Sequence, residues 1–234
     1  MRSTTATVCS SEKETMAAYQ KQICGSVENT FVYVIGAERE AAEITNLCTN
    51  VNAVLIFVPC ADWNRQLSPW YGGSVFPGSE DFSGEAPAFL RYLVEDILPY
   101  AEYGITPRRR FLAGYSLAGL FALWSLYQTD RFHGAASMSG SLWYDGFVSY
   151  AETHSFVYPP ERIVLSVGGR EKNTKNSRVQ CVEACTRQLY AAYRAQKIDT
   201  RFTLHPGGHF ANVPGRIADG IHALVTDTGA SPVK

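Results

Sequence analysis

A serine flanked by small residues lies near the middle of the chain, in the run Gly114-Tyr115-Ser116-Leu117-Ala118. A strand-like apolar run precedes it and an apolar helical pattern follows it. A serine on a tight strand-to-helix turn projects its hydroxyl above the sheet, and the turn closes only when the residues two before and two after are small. The first N–H of the helix, that of Leu117, then faces a developing oxyanion. The run predicts a nucleophile elbow with Ser116 as the nucleophile and the Leu117 N–H as an oxyanion donor.

A serine hydroxyl is a poor nucleophile until a base takes its proton, so Ser116 needs a histidine at the end of another strand. Of the five histidines, His205 and His209 both follow the last predicted strand. The Pro-Gly-Gly turn before His209 lets that side chain swing back over the sheet edge, whereas His205 is the last residue of the strand. We expect His209 to be the base, with His205 as the alternative.

A carboxylate must orient the imidazole and stabilise its cation. Glu171 is the carboxylate in the loop 168–171, directly after the fifth predicted strand. Asp145, after the fourth strand, is the alternative acid, and Glu171 could instead be a solvated residue paired with Lys172 or Lys175. We expect Glu171 to complete a catalytic triad with Ser116 and His209.

Strand-like runs alternate with helical patterns along the whole chain. This alternation predicts an α/β fold with a doubly wound, mostly parallel sheet of about six strands and helices on both faces. In such sheets ligands bind at the carboxyl ends of the strands, where the three candidate residues lie. The predicted strands are 31–35, 54–58, 111–112, 134–138, 163–167 and 200–204, and the predicted helices are 38–48, 85–100, 117–128, 179–196 and 216–226.

A second oxyanion donor usually comes from the loop after the strand beside the nucleophile strand. Because a single helix separates the strand 54–58 from the nucleophile strand, that strand is expected one place further out, and 31–35 becomes the neighbour. The loop after it reads Gly36-Ala37-Glu38. The Ala37 N–H is therefore the expected second donor, with the Glu38 N–H as the alternative.

Residues 29–234 are expected to form one domain, preceded by a polar segment, 1–28, expected to be a helix packed on it. Two connections, 60–84 and 139–160, exceed the ~12–15 residues beyond which loops tend to be functional. They hold eleven of the chain's 29 aromatic residues and are expected above the active site. Aromatic side chains suit the walls of a small-molecule site, which favours small or aromatic esters over long-chain lipids. The expected substrate-binding residues are Trp63, Trp70, Trp143 and Tyr115.

The residue composition excludes several classes of protein. Hydrophobic residues make up 46% and charged residues 18% of the 234 residues, which is typical of a folded domain rather than a disordered chain. The 21 Lys plus Arg against 22 Asp plus Glu give a net charge of -1, with no electrostatic footprint for nucleic acid or an anionic membrane. The longest apolar run, 53–61, is too short to span a bilayer. We expect neither a nucleic-acid nor a membrane partner.

The six cysteines form no Cys-x-x-Cys pair, which favours free thiols over disulfides. Cys181 and Cys185 would share a helix face, but no histidine lies at ligand spacing nearby, so no metal is expected. The first 28 residues lack the apolar core of a secretory signal. The sequence therefore predicts a cytoplasmic protein that uses neither a metal nor a cofactor.

Four segments resemble the motifs of one known family, over roughly residues 30 to 226. The resemblance is to the α/β-hydrolase superfamily, and within it to the serine esterases that include S-formylglutathione hydrolases, enterochelin-type esterases and mycolyltransferases. By this resemblance Ser116 is the nucleophile, His209 the base and Glu171 the acid. The segments are Gly114-Tyr115-Ser116-Leu117-Ala118-Gly119, Asp62-Trp63-Asn64-Arg65-Gln66-Leu67-Ser68-Pro69-Trp70, Ser139-Gly140-Ser141-Leu142-Trp143 and Gly207-Gly208-His209-Phe210.

Two features depart from the family pattern. Ala118 stands where many members have glycine, and the N-terminal part lacks the strands and the His-Gly loop that many members place at the oxyanion hole. The expected function is a carboxylic ester hydrolase that acts on a small-molecule ester through an acyl-enzyme. An acyltransferase with the same triad and a non-catalytic ligand-binding domain are the alternatives, since one fold hosts many functions.

Overall fold

The computed structural model describes residues 3–4, 19–24, 30–75 and 78–226. Its strands are β1 (Ser3–Thr4), β2 (Gln20–Cys24), β3 (Thr30–Ile35), β4 (Ala53–Val58), β5 (Tyr71–Gly72), β6 (Phe82–Ser83), β7 (Arg109–Tyr115), β8 (Gly134–Met138), β9 (Arg162–Gly168) and β10 (Asp199–His205). Eight of them form one sheet in the order β1-β2-β4-β3-β7-β8-β9-β10, while β5 and β6 form a separate antiparallel pair. From β4 to β10 all neighbours in the large sheet are parallel, and β1 and β2 join antiparallel at the β4 edge.

Helices cover both faces of this sheet. They are α1 (Ala41–Leu47), α2 (Trp63–Gln66), α3 (Ala86–Tyr92), a π-helical turn (Leu93–Ile97), α4 (Leu98–Ala101), α5 (Leu117–Ser125), α6 (Phe147–Thr153), α7 (Ser177–Gln180), α8 (Val182–Ala195) and α9 (Val213–Val225). Helices α1 and α9 pack on one face, and α3, α5, α6 and α8 pack on the other. Every residue of β3 and β4 is buried, as expected for parallel strands covered on both sides.

The predicted α/β fold with a mostly parallel sheet is confirmed, and each of the six predicted strands is present. The predicted neighbour of the nucleophile strand is also confirmed, because β3 pairs with β7 and β4 lies one place further out. The connection 60–84 contains α2 and the β5–β6 pair, and 139–160 contains α6, so neither is a bare loop.

The prediction of a helix within 1–28 is wrong for the residues of that segment that the structure describes. Residues Gln20–Cys24 form β2, which pairs with β4 through the main chain. Its side chains are mostly polar and only Cys24 is fully buried, so the apolar pattern that marks the central strands is missing. Residues 3–4 are also a strand, and the rest of the segment lies outside the described residues.

Candidate active site

The turn between β7 and α5 has the backbone of a nucleophile elbow. Ser116 adopts φ 55° and ψ -122°, a conformation that costs a non-glycine residue free energy and persists only where the surroundings enforce it. Its N–H donates to the Met138 carbonyl, 3.1 Å away, and its carbonyl accepts from the Ser141 N–H at 2.9 Å. A Cβ at Gly114 would lie 2.3 Å from the Ala118 carbonyl oxygen, so a larger residue cannot fit without backbone movement. The small residues Gly114 and Ala118 therefore permit the tight turn on which Ser116 lies.

The structure brings the three predicted triad residues together. His209 Nε2 lies 3.1 Å from Ser116 Oγ, and His209 Nδ1 lies 2.8 Å from Glu171 Oε2. The Glu171 side chain is 3% exposed and that of His209 is 30% exposed, so the carboxylate is enclosed and the imidazole is open to the cavity. With Nδ1–H donating to the carboxylate, Nε2 is free to accept the serine proton.

Both alternative residues lie elsewhere. His205 Nδ1 is 3.9 Å from Asp219 Oδ2, and burial lowers the pKa of this histidine. Asp145 is exposed and forms a bidentate ion pair with Arg178, with the shortest contact at 2.6 Å. The suggested pairing of Glu171 with Lys172 does not form either, because Lys172 pairs with Glu183 at 2.9 Å.

Glu171 is held through one carboxylate oxygen and presents the other to the histidine. Its Oε1 accepts from the Gly168 N–H at 2.6 Å, the Ser139 hydroxyl at 2.7 Å and the Arg216 guanidinium at 3.0 Å. Burial by itself raises the pKa of Glu171, but the hydrogen bonds from His209 and Ser139 outweigh it and hold the pKa below its usual range. The Glu171 carboxyl group is therefore ionised at neutral pH.

The two candidate oxyanion donors follow the neighbouring strands β7 and β3. Leu117 is the first residue of α5, and a first-turn N–H has no acceptor within its own helix. Ala37 follows β3 and lines the same cavity as Ser116, whereas Glu38 does not line it. The preceding Gly36 N–H donates to Val58 at 2.8 Å and so belongs to the sheet. The arrangement supports Ala37 rather than Glu38 as the second donor.

A cavity of about 670 Å³ opens over Ser116 and His209. Three of the four expected substrate-binding residues line it, namely Trp63, Trp143 and Tyr115. The expectation for Trp70 is wrong: its ring packs on Tyr144 and Tyr150, and its Nε1–H donates to the Asp145 carbonyl at 3.0 Å. Trp70 thus joins the two long connections to each other instead of facing the cavity.

The sequence analysis did not identify several residues that lie at the site. Ser139 and Arg216 bind the acid, and the cavity wall adds Glu40, Arg170, Asn173, Thr174, Phe210 and Ile217. A signal for Arg216 exists in the sequence, because it shares the buried face of α9 with Gly220 and Leu224 at spacings of four residues. A charged residue on an apolar helix face needs a buried partner.

No helix within the described ranges is long and apolar enough to cross a bilayer. Across the same part of the chain, no three His, Cys, Asp or Glu side chains are grouped so that they could hold a metal ion. Cys181 and Cys185 lie with their sulfurs 3.5 Å apart and, like Cys24, Cys48 and Cys60, carry free thiols.

The parallel sheet, the elbow after β7 and the histidine after the last strand define an α/β-hydrolase. The family model described as "Putative esterase" matches residues 34–212, and the chain belongs to this family. The predicted resemblance to this family is therefore confirmed.

Individual relatives agree with this assignment. The siderophore enterobactin esterase of Emericella nidulans is 32% identical over 130 residues, which are 50% of this chain and 42% of that protein. Siderophore hydrolase EstA from Aspergillus nidulans superposes with a TM-score of 0.71 at 18% identity, covering 88% of this chain and 89% of that one. The enterobactin esterase FES from Shigella flexneri, solved in the presence of 2,3-di-hydroxy-N-benzoyl-serine, gives 0.68 at 21% identity, covering 88% and 54%. The chain spans about half the length of the curated relatives that it matches, 59% and 42%.

Proposed function

We propose that this protein is a serine carboxylic ester hydrolase and that Ser116, His209 and Glu171 are its catalytic triad. The observation that carries the proposal is the continuous hydrogen-bond chain from Ser116 through His209 to Glu171, at the edge of an open cavity. A single domain formed by residues 29–234 remains part of the proposal.

In the first half-reaction, His209 Nε2 takes the Ser116 proton while Oγ forms a bond to the ester carbonyl carbon. The carbonyl oxygen becomes an oxyanion, which the N–H groups of Leu117 and Ala37 stabilise. The carbon–oxygen bond to the alcohol then breaks, and His209 gives its proton to the departing alcohol. The product of this half-reaction is an acyl-enzyme on Ser116.

In the second half-reaction, His209 takes a proton from water as the water oxygen attacks the acyl carbon. The bond to Ser116 Oγ breaks, the serine recovers its proton from His209, and the carboxylic acid leaves. Glu171 keeps its charge throughout, because its role is to hold the imidazole and balance the transient imidazolium.

The cavity supports a small ester with an aromatic group as the substrate. Trp63, Trp143 and Phe210 offer flat walls, and Arg170 adds a cation at the margin that suits a carboxylate. The names of the relatives support a siderophore ester, and the ligand present with the Shigella enzyme carries both an aromatic ring and a carboxylate. A cytoplasmic location is part of the proposal, supported by the free buried thiols of Cys24, Cys48 and Cys60.

The test is the release of 4-nitrophenolate from 4-nitrophenyl acetate by the purified protein and by Ser116→Ala. We expect turnover by the first and a loss of ~10⁴- to 10⁶-fold in the variant, because triad members act as a unit. His209→Ala should lose about as much. Added alcohols that divert the acyl group from water would identify an acyltransferase, and equal rates for wild type and Ser116→Ala would contradict the proposal.

A further inference from the structure

We propose that Arg216 is a positioning residue, which holds the acid and the base of the triad in one arrangement through a single buried guanidinium. The inference rests on the proposed function, since it concerns the geometry of Ser116, His209 and Glu171. Arg216 lies near the start of α9, and its side chain is 2% exposed.

One end of the guanidinium binds the acid and its surroundings. Nη1 donates to Glu171 Oε1 at 3.0 Å, to the Ser139 hydroxyl at 2.8 Å and to the Tyr115 hydroxyl at 3.0 Å. Ser139 in turn donates to the same carboxylate oxygen at 2.7 Å. With Oε1 occupied by these donors and the Gly168 N–H, the carboxylate cannot rotate, and Oε2 faces His209.

The other end of the guanidinium binds the backbone that carries the base. Nη2 donates to the Pro206 carbonyl at 2.9 Å and to the Gly208 carbonyl at 3.0 Å, which bracket the turn before His209. The hydroxyl of Tyr115, which accepts from Arg216, also donates to the His209 carbonyl. Arg216 therefore joins the loop after β9, the loop after β10 and the last residue of β7.

Only the planar guanidinium of an arginine, with its several N–H donors, can make these contacts together. A lysine at position 216 keeps the charge but has one nitrogen, which cannot reach the carboxylate and both loop carbonyls at once. A methionine keeps much of the apolar volume and removes the charge and every donor. The variants Arg216→Lys and Arg216→Met thus separate loss of geometry from loss of charge.

A matched control is an arginine that binds the other end of the same helix. Arg162, the first residue of β9, is 12% exposed, pairs with Asp199 at 2.6 Å, and donates to the carbonyls of Ala223, Leu224 and Thr226. It stabilises α9 with a comparable set of bonds but contacts no triad residue. Arg162→Met therefore reports what the loss of a helix-holding arginine does by itself.

The experiment measures kcat, KM and the rate of Ser116 phosphonylation by a fluorophosphonate for wild type, Arg216→Lys, Arg216→Met and Arg162→Met, with Ser116→Ala as the blank. A misplaced catalytic group costs about 10²-fold in rate. We expect kcat and the phosphonylation rate to fall by about that factor in Arg216→Met and by at least ~10-fold in Arg216→Lys. KM should stay within about twofold, since the cavity walls that bind the ester remain. Arg162→Met should lower Tm and leave kcat at the wild-type value.

The kinetics distinguish failure of the positioning role of Arg216 from failure of the proposed esterase function. If wild type hydrolyses the ester and Ser116→Ala does not, but the Arg216 variants match Arg162→Met in kcat, the positioning role is overturned while the esterase stands. If wild type is no faster than Ser116→Ala, the proposed function fails first. Should Arg216→Met not fold, Arg216→Lys decides: wild-type kcat in that variant contradicts the proposal, and a loss confined to kcat supports it.

Discussion

At the candidate active site, three side chains from distant parts of the sequence meet because each follows the carboxyl end of a parallel strand. Ser116 follows β7, Glu171 follows β9 and His209 follows β10. The spacing between these strands brings the side chains to within 3.1 Å of their partners. The geometry of the site thus depends on where strands β7, β9 and β10 end, together with the fixed orientation of the Glu171 carboxylate.

The role of Glu171 is tested by Glu171→Gln, which keeps the shape of the side chain and removes its charge. We expect turnover to fall by ~10²- to 10⁴-fold with little change in KM, because the imidazole loses its orientation and its counter-charge. Asp145→Asn is the matched control, since Asp145 pairs with Arg178 and does not contact His209. A large loss in Asp145→Asn with a small one in Glu171→Gln would move the acid to the loop after β8.

The lowered pKa of Glu171 also predicts how stability depends on pH. A glutamate in the unfolded chain has a pKa of ~4.3. Burial raises the pKa of Glu171 in the folded protein, but hydrogen bonds from His209 and Ser139 outweigh burial and keep this pKa below the unfolded value. The ionised acid therefore stabilises the fold above ~pH 4.3, and this contribution is lost as the pH falls through the folded-state pKa. We expect the Tm difference between wild type and Glu171→Gln to shrink from pH 6 to pH 3. A difference that widens over that range would contradict the direction of the shift.

At the scale of elements, the elbow needs a residue without a side chain at position 114. A Cβ there would meet the backbone of Ala118, so Gly114→Ala should force the turn to shift. We expect a loss of about 1–3 kcal/mol in the free energy of unfolding, and a displaced Ser116 should reduce turnover by about 10²-fold. Ala118→Gly is the control, expected to cost about 1 kcal/mol as a helix glycine and to keep its activity. Urea unfolding measures the change in stability, and the esterase assay measures the change in turnover. Wild-type turnover in Gly114→Ala would show that the position of Ser116 does not require a glycine at 114.

The elements that sequence patterns predicted are those whose signal is local. The central strands are apolar runs, the elbow has its small residues at fixed positions, and the helix and strand alternation fixes a parallel sheet. Edge strand β2 was missed because its polar side chains carry no strand pattern and its pairing with β4 uses the main chain. Trp70 was misplaced because a loop sequence does not show which way an aromatic side chain faces. Arg216 was missed although its position on the buried face of α9 marked it as a residue in need of a partner.

For the whole molecule, the residues that line the cavity favour some acyl groups over others. The cavity of about 670 Å³ has aromatic side chains in its wall, which suit a ring or a short acyl chain. Its described lining residues form no extended aliphatic surface for a long chain. We expect kcat/KM to be higher for acetyl and cinnamoyl esters than for the palmitoyl ester of the same leaving group. Fastest turnover of the palmitoyl ester would show that the acyl group binds elsewhere or that the long connections open.

The central claim is that Ser116 is a nucleophile activated by His209, and covalent trapping tests it most directly. In the reaction with a fluorophosphonate, the serine oxygen forms a bond to phosphorus and fluoride leaves, so the site can be located by mass spectrometry of the digested protein. The account predicts one adduct, on the peptide that contains Ser116, with no labelling of Ser116→Ala and slow labelling of His209→Ala. An adduct on another residue, or equal labelling of wild type and Ser116→Ala, would contradict it.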